Sequence, residues 1–138
     1  MKPDLVEEFV QKGLVRFEYR DYAFRGPDAL RAAEAAACAN DQGAFWPYHE
    51  TLFLNQQSPE GFSAARLKQI AETLGLDTGT FNECLDSGAK RAEVEAEIAE
   101  GQAQGVDSTP TVFVNGVESE WAPWENLKPA IEAALAEA

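Results

Sequence analysis

The chain has 138 residues, 45% of them hydrophobic and 10% aromatic, which is enough for one packed domain and too much for a disordered chain. Eleven basic residues against 24 acidic ones give a formal net charge of −13, a balance that argues against a phosphate-backbone partner and against an anionic membrane surface. No stretch approaches the roughly 18 apolar residues of a membrane span, and the start Met1-Lys2-Pro3-Asp4-Leu5-Val6-Glu7-Glu8 lacks the apolar run of a signal peptide.

In chain order, residues 3–12 read as the end of a helix: Pro3 suits a first turn, Leu5, Val6, Phe9 and Val10 form a stripe, and Gly13 is a stop. Leu14 to Asp21 predicts a strand, with Val15, Phe17 and Tyr19 alternating against Arg16, Glu18 and Arg20. Gly26-Pro27-Asp28 opens a helix whose small residues from Ala32 to Ala39 permit close packing, and Gly43 breaks it. The next helix begins near Phe45-Trp46-Pro47, with Phe45, His49, Leu52 and Phe53 expected on one inner side. Ser63 caps a helix carrying Leu67, Ile70, Ala71 and Leu74, ended by Gly75. Asp77 caps a short helix with Phe81, Cys84 and Leu85, stopped by Gly88. A longer acidic helix then runs to about Gln104, with Val94, Ile98 and Gly101 on its inner line.

The tail changes character. Thr111-Val112-Phe113-Val114 is β-rich, Asn115-Gly116 is a strong two-residue hairpin signal, and Val117 to Trp121 returns as the partner strand. Pro123 starts a last helix with Trp124, Leu127, Ile131 and Leu135 inward. No internal repeat, low-complexity linker or second domain interrupts this plan, which is an α/β layer with a large helical insertion.

Two features bear on chemistry. Pro110 at the entrance of a strand is tolerated because no ladder donor is needed there, and most X-Pro bonds are trans. The alternative is a cis-proline that presents the backbone of Thr109 to an extended peptide, which binds by strand addition. One His and two Cys do not supply the four ligands of a structural zinc site, and no phosphate loop, nucleophile elbow or carboxylate pair stands out, so no metal or cofactor is expected.

The run Ala35-Ala36-Ala37-Cys38-Ala39-Asn40-Asp41-Gln42-Gly43-Ala44-Phe45-Trp46-Pro47-Tyr48-His49-Glu50-Thr51-Leu52-Phe53 resembles the helical-insertion signature of the DsbA-like branch of the thioredoxin superfamily. Val15 to Tyr22 resembles that family's second strand, and Gly105 to Thr111 with Asn115-Gly116 resembles its cis-proline loop and terminal hairpin. The resemblance implies one thioredoxin-like α/β domain, with residues 1–25 and 106–138 as its thioredoxin part and 26–105 as the helical insertion. The first strand and the start of the first helix would be missing. Its relatives exchange disulfides with extended or unfolded protein substrates, through a Cys-x-x-Cys at the start of the first helix. There, the helix terminus lowers the attacking thiol's pKa and the second thiol resolves the mixed disulfide.

No Cys precedes Cys38 in this chain, and Cys38 and Cys84 lie far apart in sequence. Of the family's roles only substrate alignment carries over, to Thr109 and Pro110, and no catalytic residue is assigned. The expectation is a scaffold with little or no disulfide exchange of its own. The alternatives are a redox-inactive module that binds a peptide or partner, and the truncated product of a full-length oxidoreductase. Without its central strand the sheet would have two open edges at Leu14–Asp21 and Thr111–Val114. Either those strands close up antiparallel, or another chain, a partner or second copy, fills the slot, or the gene product begins further upstream, and an association-prone protein is expected.

Cys38 and Cys84 are read as free buried thiols, as a redox pair, or as the second, structural bridge that relatives carry. The bridge is expected in an exported protein and free thiols in a cytosolic one. The relatives are mostly exported or periplasmic, yet no export signal is present, so the compartment stays open. His49 is expected to be packed beside Tyr48 and Phe53 rather than catalytic, Trp46, Trp121 and Trp124 to be core or rim aromatics, and Glu93, Glu95, Glu97 and Glu100 to form a solvated helix face.

Overall fold

A computed structural model describes residues 2–138. Chain contacts divide it into two compact units: residues up to Arg20 together with Gln104–Ala138, and the intervening Asp21–Ala103.

The second unit is entirely helical: α2 (Pro27–Asn40), α3 (Phe45–Asn55), α4 (Ala64–Thr73), α5 (Thr78–Ser87) and α6 (Arg91–Ala103). Its centre is α2. Ala32, Ala35, Ala36, Cys38 and Ala39 are buried there, and their small side chains let neighbouring helices come close. Tyr48 and Leu52 of α3, Leu67, Ile70 and Ala71 of α4, and Phe81 and Leu85 of α5 complete the core. Tyr48 is fully buried, its hydroxyl donating to the Leu67 carbonyl at 2.8 Å. Burial holds that phenol well above its usual pKa, so it stays a neutral donor. Cys38 and Cys84 form a disulfide between α2 and α5, with their Cα atoms 6.0 Å apart.

Polar contacts fix the helix ends. The Ser63 side chain accepts from the Arg66 amide and the Asp77 side chain from the Thr80 amide, as the capping pattern predicts. The hydrogen bond from the Thr80 amide lowers the Asp77 pKa, so the cap stays charged. Gln42, just past the end of α2, reads the backbone of Asp77 twice: its Nε2 donates to the carbonyl at 3.1 Å and its Oε1 accepts from the amide at 2.8 Å. Glu34 is buried on α2 and accepts from Arg91 of α6 at 2.9 Å, the pairing that a buried carboxylate requires.

In the first unit, α1 (Lys2–Leu5) widens into a π-helical turn, Val6–Val10, and Gly13 follows at φ 71°. A two-stranded antiparallel sheet, β1 (Val112–Val114) with β2 (Val117–Ser119), pairs Val112 with Ser119, Phe113 with Glu118 and Val114 with Val117. Asn115 and Gly116, both at positive φ, make the tight turn. The last helix is α7 (Trp124–Ala136). Leu5, Phe9, Leu127 and Ile131 are buried together, and Phe9 meets Trp124 edge to face at 6.2 Å. Lys128 donates to Glu8 at 2.5 Å, which ties α7 to the π-helical turn.

The expected strand at Leu14–Asp21 does not form. Among the described residues the only sheet is β1–β2, and residues 15–20 take no regular secondary structure and do not join it. The alternation does sort the faces, since Val15 and Phe17 pack on the same core as Val112 and Val114. A strand also needs a ladder partner, however, and periodicity cannot supply one. The inner side of α3 also differs from expectation. Tyr48 and Leu52 face the core, whereas Phe53 is 55% exposed and His49 is half-buried among the rings of Phe45, Trp46 and Phe53.

The Glu93–Glu100 series is not uniformly solvated. Glu97 is half-buried and its Oε2 accepts from the Asp21 amide at 2.5 Å. One residue on, the Tyr22 ring covers Gly101, where an added Cβ would lie 2.9 Å from the ring carbon. Asp21 is thereby desolvated and faces Glu97 and Glu93, and its pKa rises from 3.8 to about 7. A carboxyl whose folded pKa exceeds its unfolded value stabilises the fold fully below about pH 4, and that contribution is lost as pH rises through about 7. Urea unfolding of the wild type should therefore give lower stability at pH 8 than at pH 5. Asp21→Asn should remove most of that difference, gaining on the order of 2 kcal/mol at pH 8. An unchanged pH dependence in the variant would contradict the assignment.

Candidate functional site

The segment preceding β1 carries the residues expected to meet a substrate. Thr109–Pro110 is a cis peptide bond, and both residues are exposed. Side-chain hydrogen bonds brace the loop around them: Thr111 Oγ1 donates to the Ser108 carbonyl at 2.7 Å, and Ser108 Oγ donates to the Asp107 carboxylate at 3.0 Å. A side-chain-to-backbone bond of this kind fixes a turn without using sheet donors. Behind the loop, β1 is anchored by Val112 and Val114 against Leu127 and Ile131. The core thus holds β1 just beyond the loop, and Thr109 and Pro110 stay exposed.

A cleft of about 360 Å³ opens beside Pro110, lined by Ser108, Thr111 and Val112 on one side and Glu118, Ser119, Glu120 and Trp121 on the other. The β1–β2 register, carried outward, sets Pro110 across from Trp121. Trp121 is 39% exposed, whereas Trp124 is turned onto the core beside Phe9. Glu120 is oriented by Asn126, whose Nδ2 donates to it at 2.7 Å. Sequence reading did not single out Glu118 or Glu120, because an acidic residue on a short edge strand looks like any solvated one. Only the hairpin register brings them to the cleft.

The other candidate residues lie elsewhere. Cys38 and Cys84 are within the helical unit, bonded to each other, and Cys38 is 1% exposed. Neither is available as a nucleophile while the bridge is intact. Among the described residues no group of three His, Cys, Asp or Glu side chains is placed to hold a metal ion.

A family profile described as thioredoxin matches residues 1–133, and the chain belongs to that family. Within it, the similarity is to proteins of disulfide-bond formation. Disulfide bond formation protein D of Bacillus subtilis is 30% identical over 139 residues, covering 96% of this chain and 63% of that protein. The crystal structure of oxidised BdbD from Bacillus subtilis superposes with a TM-score of 0.86 at 28% identity, over 97% of this chain and 76% of that one. A 91-residue match at 43% identity, 66% of this chain, accounts for 14% of a Na(+)/H(+) antiporter NhaA of Herminiimonas arsenicoxydans. The chain thus spans less than two thirds of the length of these curated relatives. The fold is thioredoxin-like, helix-rich and with a small antiparallel sheet, even though residues 14–20 and β1 share a core rather than a ladder.

Proposed function

We propose that these 138 residues form the polypeptide-docking part of a DsbA-like disulfide-exchange protein, with Thr109 and Pro110 holding an extended client and no exchange carried out by this chain alone. The supporting observation is the pairing of a braced, exposed Thr109–Pro110 ledge with two cysteines that are already bonded to each other. An extended client adds main-chain hydrogen bonds at such a ledge, and the side chains of the site then set its preference. In exchange a client's thiolate attacks a disulfide sulfur, and the Cys38–Cys84 bridge, with Cys38 1% exposed in the helical core, is shielded from that attack. The Cys38–Cys84 bridge also favours an oxidising compartment as the place where the chain works. In an insulin-reduction assay the chain should give no turnover above the uncatalysed rate, while it retains binding to a reduced, unfolded protein. Turnover that disappears on Cys38→Ser would reverse this reading.

A second interaction follows from residues 14–20. Val15 and Phe17 share a core with Val112 and Val114, but among the described residues only β1 and β2 form a sheet and each has three residues. We infer that a further strand, from a partner or a second copy, pairs along these edges. Light scattering should show the average mass rising with concentration, and a strictly monomeric protein at high concentration would remove self-association.

A further inference from the structure

The cleft beside Pro110 has a one-sided charge. Among the described residues its only ionisable lining residues are Glu118 and Glu120, with no Lys, Arg or His lining it. Asp107 adds a third carboxylate next to Ser108 on the approach. Glu118 stands exposed on β2 opposite Phe113, and Glu120 is held by Asn126 without a cation. Glu118 and Glu120 are two positions apart on one chain segment, and both reach the same cleft. Alternate residues of an extended client are likewise about 7 Å apart and on one face. Trp121, 39% exposed, lines the far side, and an aromatic ring attracts Lys or Arg as well as packing their aliphatic stems.

We propose that this cleft selects extended polypeptides carrying Lys or Arg at alternate positions, with Glu118 and Glu120 as specificity-determining residues and Trp121 as the platform. The inference rests on the docking role of the Thr109–Pro110 ledge and adds to it the class of client. Nothing is transferred or cleaved in the binding itself. The ledge takes main-chain hydrogen bonds, which every extended sequence supplies, so the discrimination comes from the two carboxylates and the ring. Because both carboxylates are at the rim, the preference is modest and salt-dependent.

Calorimetric titration of the whole chain with three blocked, cysteine-free peptides tests this. The peptides share one extended Val/Thr background and carry Lys, Gln or Glu at two alternate positions. The Lys peptide should bind about fivefold more tightly than the Gln peptide at low salt, and the Glu peptide most weakly. The Lys-over-Gln preference should shrink at 0.5 M salt and vanish in the double variant Glu118→Gln/Glu120→Gln. Both glutamates are exposed, so circular dichroism of that variant should match the wild type. Equal affinity for the Lys and Gln peptides would overturn the charge preference and leave the ledge standing. A preference that survives the double variant would overturn the assignment to these residues. Failure of every peptide to bind would overturn the ledge and the inference together.

Discussion

The helical unit depends on the covalent link between α2 and α5. An Ala-rich helix such as α2 presents little apolar area of its own, so its neighbours must come very close to it to be buried. The Cys38–Cys84 bond holds that approach, closing a loop of 46 residues. In the chain-entropy account, such a loop contributes roughly 4 kcal/mol, comparable with the whole stability of a small domain. Gln42 then aligns the start of α5 through both backbone groups of Asp77, and Arg91 neutralises the buried Glu34. The same bond has a chemical consequence: both cysteine sulfurs are committed to architecture.

What the other unit displays is backbone rather than thiol. Its core has four buried side chains, and its strands are three residues long. That is little apolar burial for a sheet edge to rest on, so local hydrogen bonds carry much of the definition of the loop before β1. On the proposed reading, this scaffold holds a client at the Thr109–Pro110 ledge without altering it. On that reading, the likeness to disulfide bond formation protein D bears on docking more than on redox chemistry.

Much of this was legible in the sequence because local chemistry decided it. Ser63 and Asp77 cap, Gly88 stops a helix in the left-handed region, Asn115-Gly116 turns, and the Ala run packs. The strand at Leu14–Asp21 failed because alternation reports which side chains face a core and says nothing about whether a neighbouring backbone is there. On α3 the expected inner face was right for Leu52 and Phe45, but the need to bury Tyr48 with its hydroxyl on Leu67 rotated the helix so that Phe53 turned outward. Asp21 escaped notice because its setting comes from α6, far along the chain, where Glu97 and Gly101 receive it. The acidic rim of the cleft required the hairpin register for the same reason.

Thiol titration tests the central claim most directly. Protein purified without reductant and unfolded in guanidinium should show no reactive thiol, then two per chain after reduction, with the reduced protein melting well below the oxidised one. Two thiols before reduction, or a bridge whose loss leaves the melting temperature unchanged, would contradict the account.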